Sequence, residues 1–582
     1  MSEAVETGSP ETRASDSADL FERVQAWRAQ DPDAETRAEL DALLASAKAD
    51  NASAVTELRS RFDERLEFGT AGLRGRIEAG PNRMNRVLVS QAAAGLAAYL
   101  LEKGRTPSVV IGYDGRKNSR IFATDTAEIM AGAGVRAILL PRLLPTPVLA
   151  FAVRHLRTSA GVMVTASHNP PQDNGYKVYL GGDDHGSQIV PPADAEIAHQ
   201  ILAVATSRNV LDMPRAEYEV AGEDVLDEYV RLTAAIASAA SLSSAASLSR
   251  TELRFVYTAM HGVGWETASR VFAAAGFGPP IVVTEQIDPD PTFHTVAFPN
   301  PEEPGAMDLA IATATEAGAD VIIANDPDAD RLAVAVPDAG GWRRLSGNEV
   351  GSLLGWRIAE RVAAAGNEDG TAADGILAAS IVSSPALKEI ARRYRLDYAD
   401  TLTGFKWVSR VPGLVYGYEE ALGYLVDPEK VRDKDGISAA VEFLGLMADL
   451  ALSGRTFADH ETAFAEKFGA YASSQISLRM TDLAEIPRIM NRIRQNPPAS
   501  IGESRVDRID DFSDGFEEFP PGDILRIWLA DGSRVILRPS GTEPKLKVYI
   551  DASSTDGTAA ERRNNADRTV AALDAAMREL LA

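Results

Sequence analysis

The most telling absence from this 582-residue sequence is cysteine, which does not occur once. Without thiols the chain cannot form disulfide bonds, use a thiolate nucleophile or hold zinc through cysteine. Long apolar runs are absent too, since none reaches the roughly 18–20 residues that span a bilayer. The first residues are rich in Ser, Glu and Thr and lack the basic and then apolar pattern of a secretion signal. We therefore expect no membrane partner and a cytoplasmic localisation.

Basic residues are fewer than acidic ones. The sequence has 59 Lys and Arg residues and 84 Asp and Glu residues, which gives a formal net charge of −25. Such a chain repels the phosphates of nucleic acid, so we expect no nucleic acid partner. A small anionic substrate is still compatible with this charge if basic residues gather in one cleft. Each basic residue near the motifs described below is, taken alone, equally well explained as a solvated surface residue. These residues are Arg74, Arg76, Lys177, Arg331, Lys406, Arg538, Lys545 and Lys547.

The length of the chain predicts about three to five domains. Residues 1–18 are polar and lack periodicity, which predicts a disordered tail. Helical spacing begins at Leu20, Val24 and Trp27 and predicts a helical extension that reaches residue 61. An Ala-, Ser- and Leu-rich stretch at 234–250 predicts a helix end followed by a spacer. The expected domains after the extension are 62–225, 226–346, 347–470 and 471–582.

Short apolar runs alternate with helical segments from Phe68 onward. Val109–Ile111, Ala137–Leu140 and Gly161–Val164 read as short buried strands, and the segment Gln91–Leu101 reads as a helix. This alternation predicts an α/β fold with mostly parallel or mixed sheets that helices cover on both faces.

The last unit begins near Tyr471 and has a different pattern, with alternating strands around Ile524–Ile527 and Val535–Leu537. It is predicted to end in a helix that carries one apolar stripe. The stripe consists of Val570, Leu573, Met577 and Leu580.

Three aspartates, Asp326, Asp328 and Asp330, follow the apolar run Val321–Ala324 at alternate positions. In extended backbone alternate side chains point the same way, so the three carboxylates are predicted to converge. Two unit charges about 4 Å apart repel by roughly 4 kcal/mol at an effective dielectric near 20. Convergence therefore requires a cation, and oxygen ligands favour Mg²⁺ or Mn²⁺. A calcium loop is rejected because Arg331 stands where its glycine belongs; an acidic surface turn is the other interpretation.

Ser167 lies in a tight turn, Thr165-Ala-Ser-His-Asn-Pro170, directly after the strand-like run Gly161–Val164. A serine in such a turn is usually only a turn residue. The Gly-x-Ser-x-Gly pattern of esterases is missing, and His168 is a poor base for Ser167 because neighbouring side chains diverge in extended backbone. Coordination by a metal is the better route to an activated or phosphorylated hydroxyl at this position.

A loop near the C-terminus, Arg538-Pro-Ser-Gly-Thr-Glu-Pro544, has the composition of an anion cradle. Arg538 offers a forked donor for phosphate. Ser540 and Thr542 add hydroxyl groups, and Gly541 lets backbone N–H groups approach an anion. A β-turn with an exposed arginine explains the loop equally well. The sequence has no Gly-x-x-x-x-Gly-Lys-Ser/Thr motif, which disfavours a nucleotide P-loop.

Two more segments suit a phosphorylated sugar. Gly417-Tyr-Glu-Glu-Ala-Leu-Gly423 places two acids between glycines, where carboxylates accept hydrogen bonds from sugar hydroxyls, although an acidic loop is an equal alternative. Thr403-Gly-Phe-Lys406 presents a lysine to phosphate. A metal beside an activated hydroxyl indicates phosphoryl transfer. Because the motifs are far apart in sequence, a common site has to be built at a domain interface.

Five motifs in this order resemble those of the α-D-phosphohexomutases, the phosphoglucomutase and phosphomannomutase family. The resemblance covers most of residues 62–582, and the ordered set is far more specific than any one motif. The motifs are Phe68-Gly-Thr-Ala-Gly-Leu-Arg74-Gly, Thr165–Pro170, Asp326–Arg331, Gly417–Gly423 and Arg538–Pro544.

The resemblance implies a fold of four domains around a central cleft, in which three related α/β domains with mixed sheets precede a C-terminal α+β domain. It also implies a role for each domain. In chain order these are a phosphoserine domain, a metal-binding domain, a sugar-binding domain and a phosphate-binding domain.

The resemblance further implies roles for individual residues. Ser167 would carry the phosphoryl group and complete a Mg²⁺ shell formed by Asp326, Asp328 and Asp330. Catalytic roles beside the transferring phosphoryl group would fall to Arg74, Lys177, Arg331 and His168. Glu419 and Lys406 would bind the sugar. The non-reacting phosphate would be held by Arg538, Ser540, Gly541, Thr542 and Lys547.

The implied activity is that of an intramolecular phosphosugar mutase, an isomerase that works through a phosphoserine and a bisphosphorylated sugar. Glucose 1-phosphate and glucose 6-phosphate are the expected pair, with a sugar bisphosphate as the activating primer and a monomer or homodimer as the active form. One residue departs from the family, because Ala421 stands where many members have serine. The surrounding sequence resembles the branch that includes phosphopentomutases and glucose-1,6-bisphosphate synthases, so mannose and pentose phosphates are alternative substrates.

Two other classes of protein fit parts of the sequence. An apolar strand followed by Asp-x-Asp resembles the nucleophile motif of magnesium-dependent aspartyl-phosphate hydrolases. That motif has Thr or Val at the position that Asp330 occupies here. A non-catalytic protein that binds metal or sugar phosphate is the third hypothesis.

Overall fold

In a computed structural model of the chain, the described residues are 10–238, 249–366, 374–480, 482, 484–540 and 545–581. They begin with three helices, Pro10–Gln30, Ala34–Lys48 and Ala52–Phe62. The predicted disordered tail is therefore wrong for residues 10–18, while residues 1–9 lie outside the described residues. A helix elongates far more easily than it nucleates, so the packed part of the first helix extends back to Pro10, whose fixed φ suits a first helical position.

The N-terminal helices form one hydrophobic core with the sheet that follows them. Leu20, Val24 and Leu58 are buried, and the ring of Trp27 meets Phe62 edge-on with the centroids 6.3 Å apart. The helical extension thus covers part of the first α/β unit.

The first sheet has seven strands in the order β1-β5-β4-β2-β3-β7, with β6 paired to β5. The pairings of β2, β3, β4 and β7 with one another are parallel, whereas β5 is antiparallel to both β4 and β1. The helices of this unit are Arg86–Lys103, Ser119–Gly132, Thr146–His155 and Ala193–Ser207. The strands are β1 (Leu73–Arg76), β2 (Ser108–Tyr113), β3 (Arg136–Leu139), β4 (Ala160–Val164), β5 (Asp173–Leu180), β6 (Ser187–Gln188) and β7 (Glu219–Val220).

The second sheet has five strands in the order β12-β11-β10-β8-β9. The helix end predicted within 234–250 is the end of the helix Asp224–Ser238, and residues 239–248, where the spacer was expected, lie outside the described residues. Two more helices of this unit are Gly264–Ala274 and Asp308–Ala317. The strands are β8 (Phe255–Thr258), β9 (Ile281–Val282), β10 (Val321–Asn325), β11 (Leu332–Asp338) and β12 (Gly341–Arg344).

The third sheet has four strands in the order β14-β13-β15-β16. Its strands are β13 (Ile376–Ser380), β14 (Asp397–Thr401), β15 (Leu414–Glu419) and β16 (Gly423–Leu425). Its helices are Gly347–Gly366, Ala386–Tyr394, Phe405–Val408, Gly436–Leu452 and Phe457–Phe468. One hydrophobic cluster runs from the helix Thr146–His155 of the first unit through the second sheet to the helix Gly436–Leu452, so the first three units share packing.

The fourth sheet is antiparallel throughout, in the order β17-β22-β21-β20-β19-β18, and has its own core. Its helices are Glu485–Gln495 and Ala559–Leu581. Its strands are β17 (Ala470–Arg479), β18 (Ser500–Ile501), β19 (Ser504–Asp511), β20 (Leu525–Leu529), β21 (Arg534–Pro539) and β22 (Lys545–Ser554).

The predicted apolar stripe of the last helix is right at Val570, Leu573 and Met577 but wrong at Leu580. Leu580 is exposed, and Leu581 is buried in its place. At about 100° per residue, Leu581 lies only about 20° around the helix from Val570, whereas Leu580 lies about 80° away.

Three mixed sheets with helices, followed by an antiparallel sheet with two helices, confirm the expected fold class. No single helix in the described ranges is long and apolar enough to span a membrane. The pair Gly436–Leu452 and Phe457–Phe468 would reach the required length together, but it bends by 100° between its members.

Leu58→Ala tests whether the N-terminal helices belong to the core. Leu58 is completely buried, so the substitution should lower the free energy of unfolding of this unit by about 2–5 kcal/mol. Urea unfolding followed by tryptophan fluorescence measures the change. Thr56→Ala, at an exposed position of the same helix, should change it by less than about 0.5 kcal/mol. Equal small effects of both substitutions would mean that the extension is only loosely attached.

Candidate active site

Each of the three acidic or hydroxyl motifs follows an inner strand of its sheet at the carboxyl end. Ser167 follows β4, Asp326 follows β10, and Glu419 ends β15. In open α/β sheets the crevice beyond the carboxyl ends of the strands is where ligands bind. The topology therefore turns three distant sequence motifs toward ligand-binding positions.

The Ser167 turn and the aspartate loop meet directly. Ser167 is buried, and its Oγ donates a hydrogen bond of 2.8 Å to Oδ2 of Asp326. Its backbone is left-handed, with φ of 51°, and its N–H donates to Oγ1 of Thr165 at 2.8 Å. The strained backbone of a non-glycine residue is typical of functional turns, and here it aims the hydroxyl at the carboxylate.

The three aspartate side chains converge, but not for the reason that the sequence pattern suggested. Asp326, Asp328 and Asp330 are all buried, with a carboxylate oxygen of each within 4.8 Å of the others. The backbone between them is a turn and not an extended strand, because Ala329 has φ of 54° and its N–H bonds the Asp326 carbonyl at 2.8 Å. The turn, and not the two-residue period of a strand, gathers the carboxylates.

Lysines from two other domains neutralise the aspartates. Nζ of Lys177, on β5, lies 2.8 Å from Oδ2 of Asp328 and 3.0 Å from Oδ2 of Asp330. Nζ of Lys434, in the third unit, lies 3.2 Å from the same oxygen of Asp330. Burial would raise the pKa of Asp330, but the charges of Lys177 and Lys434 hold that pKa far below its ordinary value.

Asp326 has the opposite electrostatic environment. Burial and the neighbouring charges of Asp328 and Asp330 raise the pKa of Asp326 well above its ordinary value. The contacts of Asp326 with the Arg331 guanidinium are long, since Nε lies 4.0 Å from Oδ2. Asp326 is thus the carboxylate that most needs a further cation.

The residues present fit a divalent metal ion. Oδ1 of Asp328 and Oδ1 of Asp330 are buried and have no hydrogen-bond partner among the described residues. Buried polar atoms without a partner are rare and call for an explanation. A cluster of carboxylate oxygens, with the Ser167 hydroxyl beside Asp326, is the oxygen-only ligand set that Mg²⁺ and Mn²⁺ prefer.

Arg331 and Arg74, the two arginines expected beside the aspartates, lie next to the aspartates and the Ser167 turn. Arg331 follows the aspartates, and its Nε lies 3.8 Å from Oδ1 of Asp330. Arg74 lies on β1 and donates from Nη1 to Oδ1 of Asn169, within the Ser167 turn, at 3.1 Å. Burial and the charge of Arg331 lower the pKa of Arg74 from its ordinary value.

His168 lies closer to Ser167 than extended backbone would allow. Its Nδ1 is 3.3 Å from Oγ of Ser167, because the left-handed conformation of Ser167 turns the two side chains toward each other. The two side chains therefore approach each other, and the prediction that they diverge is wrong. Burial, followed by the charges of Arg331 and Arg74, lowers the pKa of His168 well below its ordinary value and favours the neutral ring.

Glu419 and Lys406, the two residues expected to bind the sugar, each contact another group of the protein in this structure. Oε1 of Glu419 accepts a hydrogen bond of 2.6 Å from the backbone N–H of Gly404, and burial raises its pKa. Nζ of Lys406 donates to the hydroxyl of Thr70 in the first unit. Lys406 therefore links the third unit to the Phe68–Arg74 motif in this conformation.

The C-terminal phosphate loop is described in part. Arg538 and Lys547 are paired across β21 and β22, and the N–H of Ser540 bonds the Lys545 carbonyl at 2.8 Å to close the hairpin. Gly541 and Thr542 lie outside the described residues. Burial, followed by the charge of Glu420, raises the pKa of Tyr549. This hairpin therefore lies within electrostatic reach of the β15–β16 loop.

Sequence reasoning missed an arginine that holds the Ser167 turn. Arg116 is buried, and its guanidinium donates to four backbone carbonyls of the turn. The acceptors are Ser167 at 2.6 Å, Asn169 at 2.6 Å, Pro170 at 2.8 Å and Asp173 at 3.1 Å. Its only signal in the sequence is its place in the short segment Asp114-Gly-Arg116 directly after β2.

Lys434 and Thr146 were also missed. Thr146 begins a helix of the first unit, and its Oγ1 donates to Oδ2 of Asp328 at 2.7 Å. Neither residue stands in a recognisable motif. Only the three-dimensional arrangement brings them to the aspartates.

Comparison with known proteins finds one family along most of the chain. Models of the phosphoglucomutase/phosphomannomutase family match in order: α/β/α domain I at 65–208, domain II at 227–341, domain III at 346–467 and the C-terminal domain at 476–568. A Haemophilus influenzae protein named probable phosphomannomutase is 54% identical, over 86% of this chain and 98% of the relative. Human phosphopentomutase is 34% identical, over 86% of this chain and 87% of the relative.

A solved structure has the same fold at low sequence identity. It is the open form of the Paramecium protein parafusin, described as a phosphoglucomutase, with a TM-score of 0.67 and 19% identity. The match covers 88% of this chain and 95% of that one.

Asp328→Asn tests the metal site. Loss of one anionic ligand should weaken Mg²⁺ binding at least about tenfold, as measured by isothermal titration calorimetry. Glu316→Gln, which removes an exposed charge from the same domain, is the control and should leave the affinity unchanged. Equal Mg²⁺ affinities in both variants would contradict the ligand assignment.

Arg116→Lys tests the clamp on the Ser167 turn. A single ammonium cannot replace a fork that donates to four carbonyls, so amide hydrogen exchange in residues 165–173 should accelerate at least about tenfold. Mass spectrometry of peptic fragments measures the exchange. Arg120→Lys, at an exposed position nearby, should leave the exchange rate unchanged. Unaltered exchange in Arg116→Lys would mean that Arg116 does not hold the Ser167 turn.

Proposed function

This chain belongs to the phosphoglucomutase/phosphomannomutase family, and on that premise we propose that it is an intramolecular phosphosugar mutase whose phosphoryl carrier is Ser167. The observation that carries the proposal is the 2.8 Å contact between Oγ of Ser167 and Asp326 within the buried aspartate cluster. A hydroxyl at this position can be phosphorylated beside a divalent cation.

The reaction is a pair of phosphoryl transfers. In the first, the bond between phosphorus and Oγ of Ser167 breaks and a bond from phosphorus to the oxygen of the free sugar hydroxyl forms. In net terms the proton of that hydroxyl passes to Oγ of Ser167. The bisphosphorylated sugar then turns around. In the second transfer the bond between its other phosphorus and the sugar oxygen breaks, and that phosphorus bonds to Oγ of Ser167. The Ser167 proton passes in net terms to the freed sugar oxygen, which leaves the isomeric sugar monophosphate.

Positive groups around the aspartates would stabilise the charge on the transferring oxygens. Arg331 and Arg74 flank the Ser167 turn, and Lys177 neutralises Asp328 and Asp330. Asp326, Asp328, Asp330 and the Ser167 oxygen would hold Mg²⁺, which when bound supplies further charge stabilisation and orients the phosphoryl group. Lys177 is a poor proton acceptor, because the adjacent aspartates keep its pKa raised despite burial.

The non-reacting phosphate needs a grip that serves both orientations of the sugar. The donors that would bind this phosphate come from two paired strands and the loop between them. They are Arg538 and Lys547 on the strands and Ser540, Gly541 and Thr542 in the loop. Glu419 and Lys406 would bind the sugar between the two phosphates. The burial of the aspartate centre supports exclusion of water, which protects a phosphoserine from hydrolysis.

For the sugar, we propose the 1-phosphate and 6-phosphate of glucose as the principal pair, with a sugar bisphosphate as primer. Mannose phosphates are favoured as a second candidate by the relative that is 54% identical. Pentose phosphates are favoured by the human relative that is 34% identical and by the sequence around Ala421, which resembles that branch. We propose further that the protein acts in the cytoplasm on free sugar phosphates, as a monomer or homodimer, without nucleic acid or membrane.

The aspartyl-phosphate hydrolase and the non-catalytic binding protein receive no support from the comparisons, since the relatives described above carry mutase names. A Ser167 hydroxyl aimed at Asp326 also supports serine, and not Asp326, as the acceptor of the phosphoryl group.

Ser167→Ala should lower kcat at least about a thousandfold, because the phosphoryl carrier is lost while the fold is kept. A coupled assay that follows glucose 6-phosphate measures the rate, and circular dichroism checks the fold. Ser207→Ala, at an exposed helix end of the same domain, should keep full activity. Retention of most activity by Ser167→Ala would remove the phosphoserine from the mechanism.

The substrate is tested by side-by-side assays with glucose 1-phosphate, mannose 1-phosphate and ribose 1-phosphate, each with and without the matching bisphosphate. We expect the highest kcat/KM with glucose 1-phosphate and a higher initial rate when the primer is present. A higher kcat/KM with mannose 1-phosphate or ribose 1-phosphate would replace glucose by that sugar. Phosphate release without isomer formation would contradict the mutase itself.

A further inference from the structure

A second group of metal-ligating side chains lies outside the aspartate centre, in the same domain. His261, Asp290 and His294 each present a ligand atom, and these atoms lie within 4.8 Å of one another. His261 stands in the loop after β8, and the other two lie on the irregular segment 287–300. Two imidazoles and a carboxylate form a mixed nitrogen and oxygen set, which suits Zn²⁺ and similar borderline cations better than Mg²⁺.

The ring of His261 is buried and oriented by a chain of hydrogen bonds. The Thr258 hydroxyl donates to Oε1 of Gln286 at 2.7 Å, so the Gln286 amide presents its Nε2, which donates to Oγ1 of Thr295 at 2.9 Å. That oxygen lies 2.7 Å from Nε2 of His261. When His261 carries its proton on Nε2, it donates to Thr295 and keeps the Nδ1 lone pair for a cation. A hydrogen bond on the opposite ring nitrogen is how proteins orient metal-bound histidines.

Asp290 and His294 complete the group from the other side. Oδ1 of Asp290 accepts from the N–H and the hydroxyl of Thr292 at 2.8 and 2.7 Å, and these bonds lower the pKa of Asp290 to about 2. Oδ2 of Asp290 lies 2.7 Å from Nδ1 of His294, and the rings of His294 and His261 are 4.5 Å apart. The His294 side chain is 59% exposed, which gives an ion access from solvent.

We propose that His261, Asp290 and His294 bind one Zn²⁺ or similar borderline divalent cation, separate from the Mg²⁺ at the aspartates. A water molecule as the fourth ligand would complete a tetrahedral shell. The proposal does not depend on the mutase activity.

An ion in this position would join two loops that reach the centre of the molecule. The loop of His261 continues to Val263, whose N–H donates to the carbonyl of Pro327, between Asp326 and Asp328, at 2.8 Å. The segment of His294 includes Phe293, whose ring lies 4.9 Å from the guanidinium of Arg116. Zn²⁺ would therefore fix the packing of the second domain against the clamp on the Ser167 turn.

The test is a calorimetric titration of the full-length protein with ZnCl₂, after removal of metals with EDTA and dialysis into saturating Mg²⁺. The wild type should take up one equivalent of Zn²⁺. His294→Gln and Asp290→Asn should each weaken this binding at least about tenfold. The control His199→Gln, on an exposed face of the helix Ala193–Ser207, should bind as the wild type does, and so should Asp328→Asn.

Three results would overturn the proposal. The first is the absence of saturable Zn²⁺ uptake by the wild type in Mg²⁺. The second is equal Zn²⁺ affinity of the wild type and His294→Gln. The third is loss of Zn²⁺ binding in Asp328→Asn but not in His294→Gln, which would place the ion in the aspartate centre.

Discussion

Three buried carboxylates on one turn make the site, and they are tolerable only because cations from other domains surround them. At about 4 Å each pair of like charges repels by roughly 4 kcal/mol at an effective dielectric near 20. Lys177 from the first domain and Lys434 from the third lie within 2.8 to 3.2 Å of these carboxylates. The need to neutralise the three carboxylates therefore brings residues of three domains together at the aspartates.

The positions of the neutralising cations also explain why the pKa values of the aspartates shift in different directions. Asp330 is held ionised by the two lysines, whereas the pKa of Asp326 is raised by burial and by its acidic neighbours. The hydroxyl of Ser167 points at Asp326, the least compensated of the three. A divalent cation at this place would satisfy both the carboxylates and the phosphoryl group that we propose on Ser167.

Motifs in the sequence predicted much of this centre, because the chemistry resides in short segments that each follow a buried strand. Ser167 and the three aspartates were found from their local context, whereas the role of Arg331 followed only from the resemblance to a known family. The strand pattern could not predict the left-handed backbone of Ser167 and Ala329, so it gave a wrong reason for the convergence of the carboxylates and a wrong separation of His168. Arg116, Thr146 and Lys434 escaped notice because their roles depend on tertiary contacts, which leave no local signature.

At the level of fold, the alternation of apolar runs and helical segments predicted the α/β units, since that pattern follows from burial on both faces of a sheet. Helix ends were harder to predict. The first helix reaches back to Pro10 by elongation from a packed turn, and the last helix buries Leu581 where a step of three had suggested Leu580. Both differences come from packing, to which a local pattern responds only in part.

The central claim is that the phosphoryl group travels on the oxygen of Ser167. The most direct measurement is tandem mass spectrometry of the protein after incubation with glucose 1,6-bisphosphate and a rapid acid quench. We expect an acid-stable phosphoryl group on Ser167 that disappears when a sugar monophosphate is added in excess. A phosphoryl group on Asp326 or on another residue, with none on Ser167, would contradict it.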